Sequence, residues 1–263
     1  KVGHVGGRTG YAHLFNNHPR TETVAICDTD PEALEKTRLA LGLNRFQCFQ
    51  NYDDLLKTDL DIIVVGTPIP FHAEQSIKAM ESGINVLSEV TAANNVKDCE
   101  RLVQTVKKTD MKYMLAENMC YMHFIQEWKK MIQEGKLGKI YYAEAEYLHQ
   151  IRRLLKDPET GKLFWRASRP PLHYCSHSLG PLLMMLDDHI VKATASGKGM
   201  NIMPCVGVGA IDIQVALFET KKGVTIKLLR SSVVAREPPF HFYTIYGTKG
   251  CVENTGFRTG TFK

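Results

Sequence analysis

The sequence predicts an α/β chain: a doubly wound domain with a parallel sheet over residues 1–118, then an α+β domain with an open, largely antiparallel sheet over 119–263. Three observations predict it. Up to residue 118, short β-branched runs alternate with stretches of helical periodicity. The run at 61–66 is apolar on both faces, as a strand covered by helices on either side has to be. Beyond residue 118 the helices come first and consecutive strand-like runs follow.

Taken in order, Val2–Val5 is the first strand, and the glycine-rich VGGRTG leads from it into a helix. Strands follow at 21–28, 46–50, 61–68, 84–90 and 113–118. Between them lie PEALEKTRLAL, FHAEQSIKAMESG and NVKDCERLVQTVKKT, with apolar residues three and four apart. Gly83 supplies an ordinary C-terminal stop for the second of these. In the second half an amphipathic helix spans 123–135, alternation sets in at KIYYAEAEYLHQ, and a helix covers 172–187. Strand-like runs then occupy 205–219, 223–233, 240–247 and 250–254, and 151–170 is the one long loop candidate.

Composition bounds the function. The chain has 263 residues, 44% hydrophobic and 23% charged, enough for two modest cores. Its net charge of +5 is scattered, without a block of like charges, so neither nucleic acid nor a membrane surface is expected as a partner. No apolar run reaches the length of a membrane span. Cysteines 27, 48, 99, 120, 175, 205 and 251 are dispersed and form no C-x-x-C pair. They read as reduced thiols, not as a disulfide framework or zinc cage, and point to the cytoplasm.

A dinucleotide fingerprint needs glycine at the tight turn, at the approach of the pyrophosphate and where helix meets sheet. Gly7 and Gly10 have the spacing of the last two, while the first falls at Val5, with Gly6 adjacent. Asp28 ends the second strand, placed to accept hydrogen bonds from both adenosine ribose hydroxyls and to repel a 2′-phosphate. The expected cofactor is therefore NAD rather than NADP, on a Rossmann domain.

On a helical projection Leu172, Cys175, Leu179, Leu182, Leu183 and Leu186 form one stripe, with Tyr174 and His177 on the opposite side. Pro181 lacks an N–H and crowds the carbonyl of residue 177, so the helix is expected to kink there. An imidazole titrates near physiological pH, which suits His177 to taking a hydroxyl proton and returning it. His173 reads as a surface histidine and Tyr121 as a core residue. His173 has no Glu in H-E-x-x-H spacing and no third ligand nearby, so no metal is expected.

The stretch TPIPFHAEQSIKAMESGINVLSEVTAANNVKDCERLV resembles the Gfo/Idh/MocA family, after glucose–fructose oxidoreductase and inositol dehydrogenase, and the likeness runs through nearly the whole chain. The matching positions are Thr67-Pro68, His72, Glu89-Val90-Thr91 and Glu117-Asn118. The resemblance implies that Thr67, Pro68, His72, Glu89 and Asn118 belong to the cofactor site, with Glu89 on the nicotinamide ribose. It also implies a second domain whose open sheet mediates homo-oligomers. Val90 stands where the family's dehydrogenases carry a lysine that polarises the sugar oxygen, and valine can neither donate nor carry charge.

A narrower resemblance accommodates that loss. The segments SEVTAANNVKDCERLVQTVKKTDMKYMLAENMCY and MIQEGKLGKIYYAEAEYLHQIR are similar to the NAD-dependent glycosidases of glycoside hydrolase family 109. The likeness implies a catalytic set of Glu117, Tyr147, Tyr174 and His177. Thr91, Leu148 and the composition of 151–171 depart from that pattern and leave the substrate open.

Three functions follow. One is an NAD-dependent oxidoreductase acting on a sugar or polyol hydroxyl by hydride transfer. The second is a glycoside hydrolase working by transient C3 oxidation and elimination. The third is an NAD-binding sensor without turnover.

Overall fold

The computed structural model describes residues 1–6, 9–197, 199, 211–234 and 241–254. The chain divides into two compact units, the first ending at Ala116 and the second beginning at Glu117. Gly7 and the strand-like stretch 205–210 lie outside the described residues.

The first unit carries β1 (Val2–Val5), α1 (Thr9–Asn17), β2 (Thr23–Cys27), α2 (Pro31–Leu41), β3 (Cys48–Phe49), α3 (Tyr52–Leu55), β4 (Ile62–Val65), α4 (His72–Glu81), β5 (Asn85–Ser88), α5 (Val96–Thr109) and β6 (Tyr113–Leu115). The strands form one parallel sheet in the order β3-β2-β1-β4-β5-β6. This is the doubly wound arrangement whose ligand crevice opens at the carboxyl ends of β1 and β4.

Local chemistry sets the element ends. Asp30 caps α2 by accepting from the amides of Glu32 and Ala33, Pro31 opens the helix, and Gly42 closes it at φ 69°. Asn95 caps α5 through the Asp98 amide. Ile63, Val65, Ala79, Met80 and Val86 centre the core between sheet and helices. β4 is shorter than the expected 61–68 because Gly66-Thr67-Pro68 turns away, and proline has no N–H for a ladder. β6 likewise stops at Leu115, and Glu117 caps the 3₁₀ turn Asn118–Tyr121 that follows.

The second unit contains α6 (His123–Gln133), β7 (Ile140–Leu148), α7 (Ser176–Leu186), β8 (Ile190–Ser196), β9 (Ile213–Thr220), β10 (Thr225–Ser231), β11 (Phe242–Gly247) and β12 (Gly250–Glu253). Its sheet runs β12-β11-β7-β10-β9-β8. β7 and β10 pair in parallel, and every other neighbouring pair is antiparallel. One face is packed by α6 and α7 through Ile125, Leu182 and Met185 against Ala143, Ala145, Ile226, Leu228, Tyr243 and Ile245.

In this unit β8 and the start of α7 also differ from expectation. β8 has no apolar alternation because it is an edge strand, exposed along nearly its whole length. The helix expected from 172 begins at Ser176, and a 3₁₀ turn at Pro171–Tyr174 precedes it. No helix among the described residues is long and apolar enough to cross a membrane.

Candidate functional site

In the first unit the predicted cofactor residues gather where the parallel strands end. Gly6 follows β1 with φ +91°, and a Cβ there would lie 2.7 Å from the Thr67 amide nitrogen. Only glycine combines that φ with so close an approach of two loops. Gly6 therefore takes the tight-turn role, where the spacing alone had pointed to Val5. Gly10 sits in the first turn of α1. Asp28 lies just beyond β2, its Oδ1 accepting from the Asp30 amide at 3.0 Å, on a small cleft it shares with His4, Gly6 and Ala12. A glycine turn and an oriented carboxylate on adjoining strand ends fit an adenosine ribose and its pyrophosphate.

Thr67 Oγ1 lies 2.5 Å from Gln75 Oε1, and Pro68 leads into a short 3₁₀ turn. Glu89 is buried just past β5, with its Oε2 accepting from the Val90 amide at 3.3 Å. Val90 is itself buried. His72 differs from the expectation that it touches cofactor. Its Nδ1 is 2.8 Å from the Thr91 carbonyl oxygen and its Nε2 is 2.6 Å from that of Thr67, at 1% exposure. Both ring nitrogens face backbone, so His72 ties together the loops after β4 and β5.

In the second unit His177 occupies the first turn of α7. Its Nδ1 donates to Glu117 Oε1 at 2.6 Å, and the same oxygen accepts from the Met119 amide at 3.3 Å. That bond fixes the tautomer, leaving Nε2 with the lone pair, 3.3 Å from the Tyr174 hydroxyl. Gly180 leaves room for the pairing, since a Cβ there would stand 3.2 Å from Glu117 Cγ. The backbone of α7 can thus lie directly against the carboxylate.

Tyr147, on β7, forms a second tyrosine–histidine pair, with its hydroxyl 2.7 Å from His149 Nδ1. Its ring centroid is 3.8 Å from that of His241 and 4.1 Å from the Arg230 guanidinium carbon. His241 also meets the His177 ring edge-on at 5.4 Å. Burial pushes His241 down to about 2, with His177, Arg230 and His149 adding to the effect. Burial, then Arg230, lowers His149. Both imidazoles are therefore neutral bases near neutral pH.

Asn118 is exposed at the start of its 3₁₀ turn. Tyr121, expected in the core, is 64% exposed because the 3₁₀ turn directs it outward. His173 Nδ1 accepts from Arg169 Nη1 at 2.7 Å. No group of three or more metal-ligating side chains occurs among the described residues.

Arg230 and His241 escaped the sequence reading, and Gly6 entered it only as the neighbour of the expected turn position. For Arg230 a signal was there: Ile226, Leu228 and Arg230 share one face of β10, and the row ends in a cation. Chemically, the second unit offers a carboxylate-backed imidazole able to take a proton at Nε2, a phenol beside it, and a second phenol–imidazole pair.

The oxidoreductase-family model described as an NAD-binding Rossmann fold matches residues 1–117, and the GFO/IDH/MocA C-terminal domain matches 125–253. A glycosyl hydrolase family 109 protein of Shewanella pealeana is 30% identical over 95% of this chain and 62% of its own length. One from Shewanella woodyi is 28% identical over 95% and 60%. The chain thus spans about three fifths of the curated relatives it matches. Among solved structures, myo-inositol 2-dehydrogenase of Lactobacillus plantarum superposes with TM-score 0.81 at 21% identity, over 97% of this chain and 76% of that one. The scyllo-inositol dehydrogenase of Lactobacillus casei, solved with NAD(H) and scyllo-inositol, gives 0.82 at 21%, over 96% and 75%.

Proposed function

Because the chain belongs to the Gfo/Idh/MocA oxidoreductase family, we propose that it is an NAD-dependent oxidoreductase acting on a hydroxyl of a sugar or polyol. The observation that carries this reading is the 2.6 Å bond from His177 Nδ1 to Glu117. When bound, NAD supplies the hydride acceptor. Gly6, Asp28, Thr67, Pro68 and Glu89 are the residues that would hold it, and Gly7, Gly10 and Asn118 complete the proposed set. His72 holds the loops on which Thr67 and Glu89 stand.

His177 takes the hydroxyl proton at Nε2, and Glu117 stabilises the imidazolium that results. Tyr174 orients the hydroxyl or relays its proton. Arg230 and His241 clamp the ring of Tyr147, which would keep that phenol in one orientation.

A second reading, the glycosidase, is favoured by Val90, since a buried valine leaves position 90 without a cation to assist net alcohol oxidation. In that reaction the C3 hydroxyl loses its proton to His177 as hydride departs, and the C2 proton becomes acidic. Tyr147, backed by His149, would remove it as the glycosidic bond breaks and the aglycone leaves with a proton. Water would then add across the enone, its hydroxyl to C1 and a proton to C2. With NAD supplying the hydride back to C3, His177 would return the proton to the C3 oxygen. No net redox change results. Its relatives named glycosyl hydrolase family 109 proteins agree with this course.

One experiment separates the readings. The protein is incubated with NAD and a panel of sugars, polyols and aryl glycosides while NADH and released aglycone are followed. Net NADH supports the oxidoreductase. Aglycone release without net NADH, with solvent deuterium entering C2, supports the glycosidase. NAD binding with neither product would reduce the chain to a sensor. The dispersed cysteines favour the cytoplasm, and the open sheet of the second unit, with Tyr141, Val191 and Leu217 exposed on it, favours pairing of copies. Light scattering of the purified protein checks the latter.

A further inference from the structure

Arg230 is 3% exposed at the end of β10, opposite Tyr147 on β7 and Gln214 on β9. Its Nη1 donates to the carbonyl oxygen of Tyr147 at 3.1 Å and to that of Ser231. Its Nε is buried and has no hydrogen-bond partner among the described residues. Its titratable neighbours are Tyr147, Tyr174 and Cys175, and no carboxylate among the described residues pairs with it. Burial wins, pushing the guanidinium down to about 10. Glu117, a carboxylate of the same cluster, spends its Oε1 on His177 and the Met119 amide, and its buried Oε2 has no hydrogen-bond partner among the described residues, Arg230 included.

A buried guanidinium without a counter-charge is costly, and folds rarely retain one for packing alone. Here it adjoins both tyrosines of the proposed site, 4.1 Å from the ring centre of Tyr147 and 5.9 Å from that of Tyr174. Its Nη1 is pinned by strand carbonyls, which leaves the Nε edge to present parallel N–H donors. That edge matches the two oxygens of a planar oxyanion.

We propose that Arg230 is a substrate-recognition residue, and that the hydroxyl-bearing substrate carries a carboxylate, making it a sugar acid and not a neutral sugar. The proposal rests on the reading of the second unit as the carbohydrate site. The acid supplies the missing counter-charge, and the oxygen-rich remainder meets the phenols and imidazoles around Tyr147. A phosphate shares the recognition chemistry, but its tetrahedral bulk and higher charge are a poorer match to one planar cation between two rings.

The test is calorimetric binding to the NAD-saturated protein with matched ligands: glucuronate against glucose, galacturonate against galactose, gluconate against sorbitol, and glucose 6-phosphate. At least one acid should bind about tenfold or more tightly than its neutral partner. Arg230→Met should erase that ratio while NAD affinity holds, and Arg230→Lys should keep a reduced ratio. If Arg230→Met does not fold, the Lys variant decides: an unreduced preference overturns the proposal. It is also overturned if no acid outbinds its partner, if the Met variant keeps the ratio, or if the phosphate outbinds every acid. Acid preference without turnover would sink the enzymatic reading and leave this one standing. Turnover of neutral sugars without acid preference would do the reverse.

Discussion

Tyr243 of β11 donates its hydroxyl proton to the carbonyl oxygen of His177 on α7. Four residues on, where an ordinary helix would offer that carbonyl an N–H, stands Pro181, which has none. The fully buried Tyr243 takes over the missing bond and ties the turn bearing His177 to the sheet. Removing the hydroxyl should leave the carbonyl unsatisfied. Tyr243→Phe is expected to cost about 1–3 kcal/mol in urea unfolding. In a Pro181→Ala background the restored N–H can serve the carbonyl, so the same change should cost less. Equal costs in both backgrounds would contradict the account.

The Glu117–His177 bond predicts a separation of chemistry from cofactor binding. His177→Ala should abolish turnover, and Glu117→Gln should lower kcat by about 10²-fold or more, because the amide cannot stabilise the imidazolium. NAD affinity should change little in both. Retained turnover in the alanine variant would remove His177 from the mechanism.

Much of this was legible beforehand because local rules and global fold agree. Asp30, Pro31 and Gly42 mark both ends of α2, and the apolar run at 61–66 could only be a covered strand. Tyr174 and His177 were readable as neighbours from their spacing alone. What stayed hidden depends on partners distant in sequence. The resemblance put Glu117 and His177 in one catalytic set, but not the bond between them, for they are sixty residues apart and nothing near either residue specifies the other. The purpose of Gly180 shows only with the approach of Glu117, from another part of the chain. β8 was invisible because an exposed edge strand needs no apolar face. His72 looked like a ligand residue because its packing partners are two carbonyls, which no side-chain pattern records.

The cradle at the end of β1 predicts that NAD binding is sensitive to one methyl group and one carboxylate. Gly6→Ala adds a Cβ 2.7 Å from the Thr67 nitrogen at φ +91°. The turn must shift, and NAD affinity should fall with it. Asp28→Ala removes charge-assisted hydrogen bonds worth about 1.5–3 kcal/mol, so the dissociation constant should rise roughly ten- to hundredfold. Fluorescence titration with NAD measures both, and unchanged affinity for Asp28→Ala would undo the ribose assignment.

His241 makes the second unit acid-sensitive in a defined direction. Burial holds its imidazole down to about 2 in the folded chain, against an ordinary value of 6.5. Below about pH 6.5 the unfolded chain binds a proton that the folded chain refuses, so stability is full above that pH. It falls as the pH drops, by about 1.4 kcal/mol per unit from this residue, until the folded imidazole itself titrates. His4 in the first unit, pushed down to about 4 by burial, acts in the same direction over the narrower window from 6.5 to 4. His241→Phe keeps an aromatic ring against Tyr147 but cannot bind the proton. Between pH 7 and 5 the denaturation midpoint of the parent should therefore fall more steeply than that of the variant, by the equivalent of about one proton. Parallel slopes would mean that His241 is not held neutral by its surroundings, and that the clamp on Tyr147 is more open to water than its burial indicates.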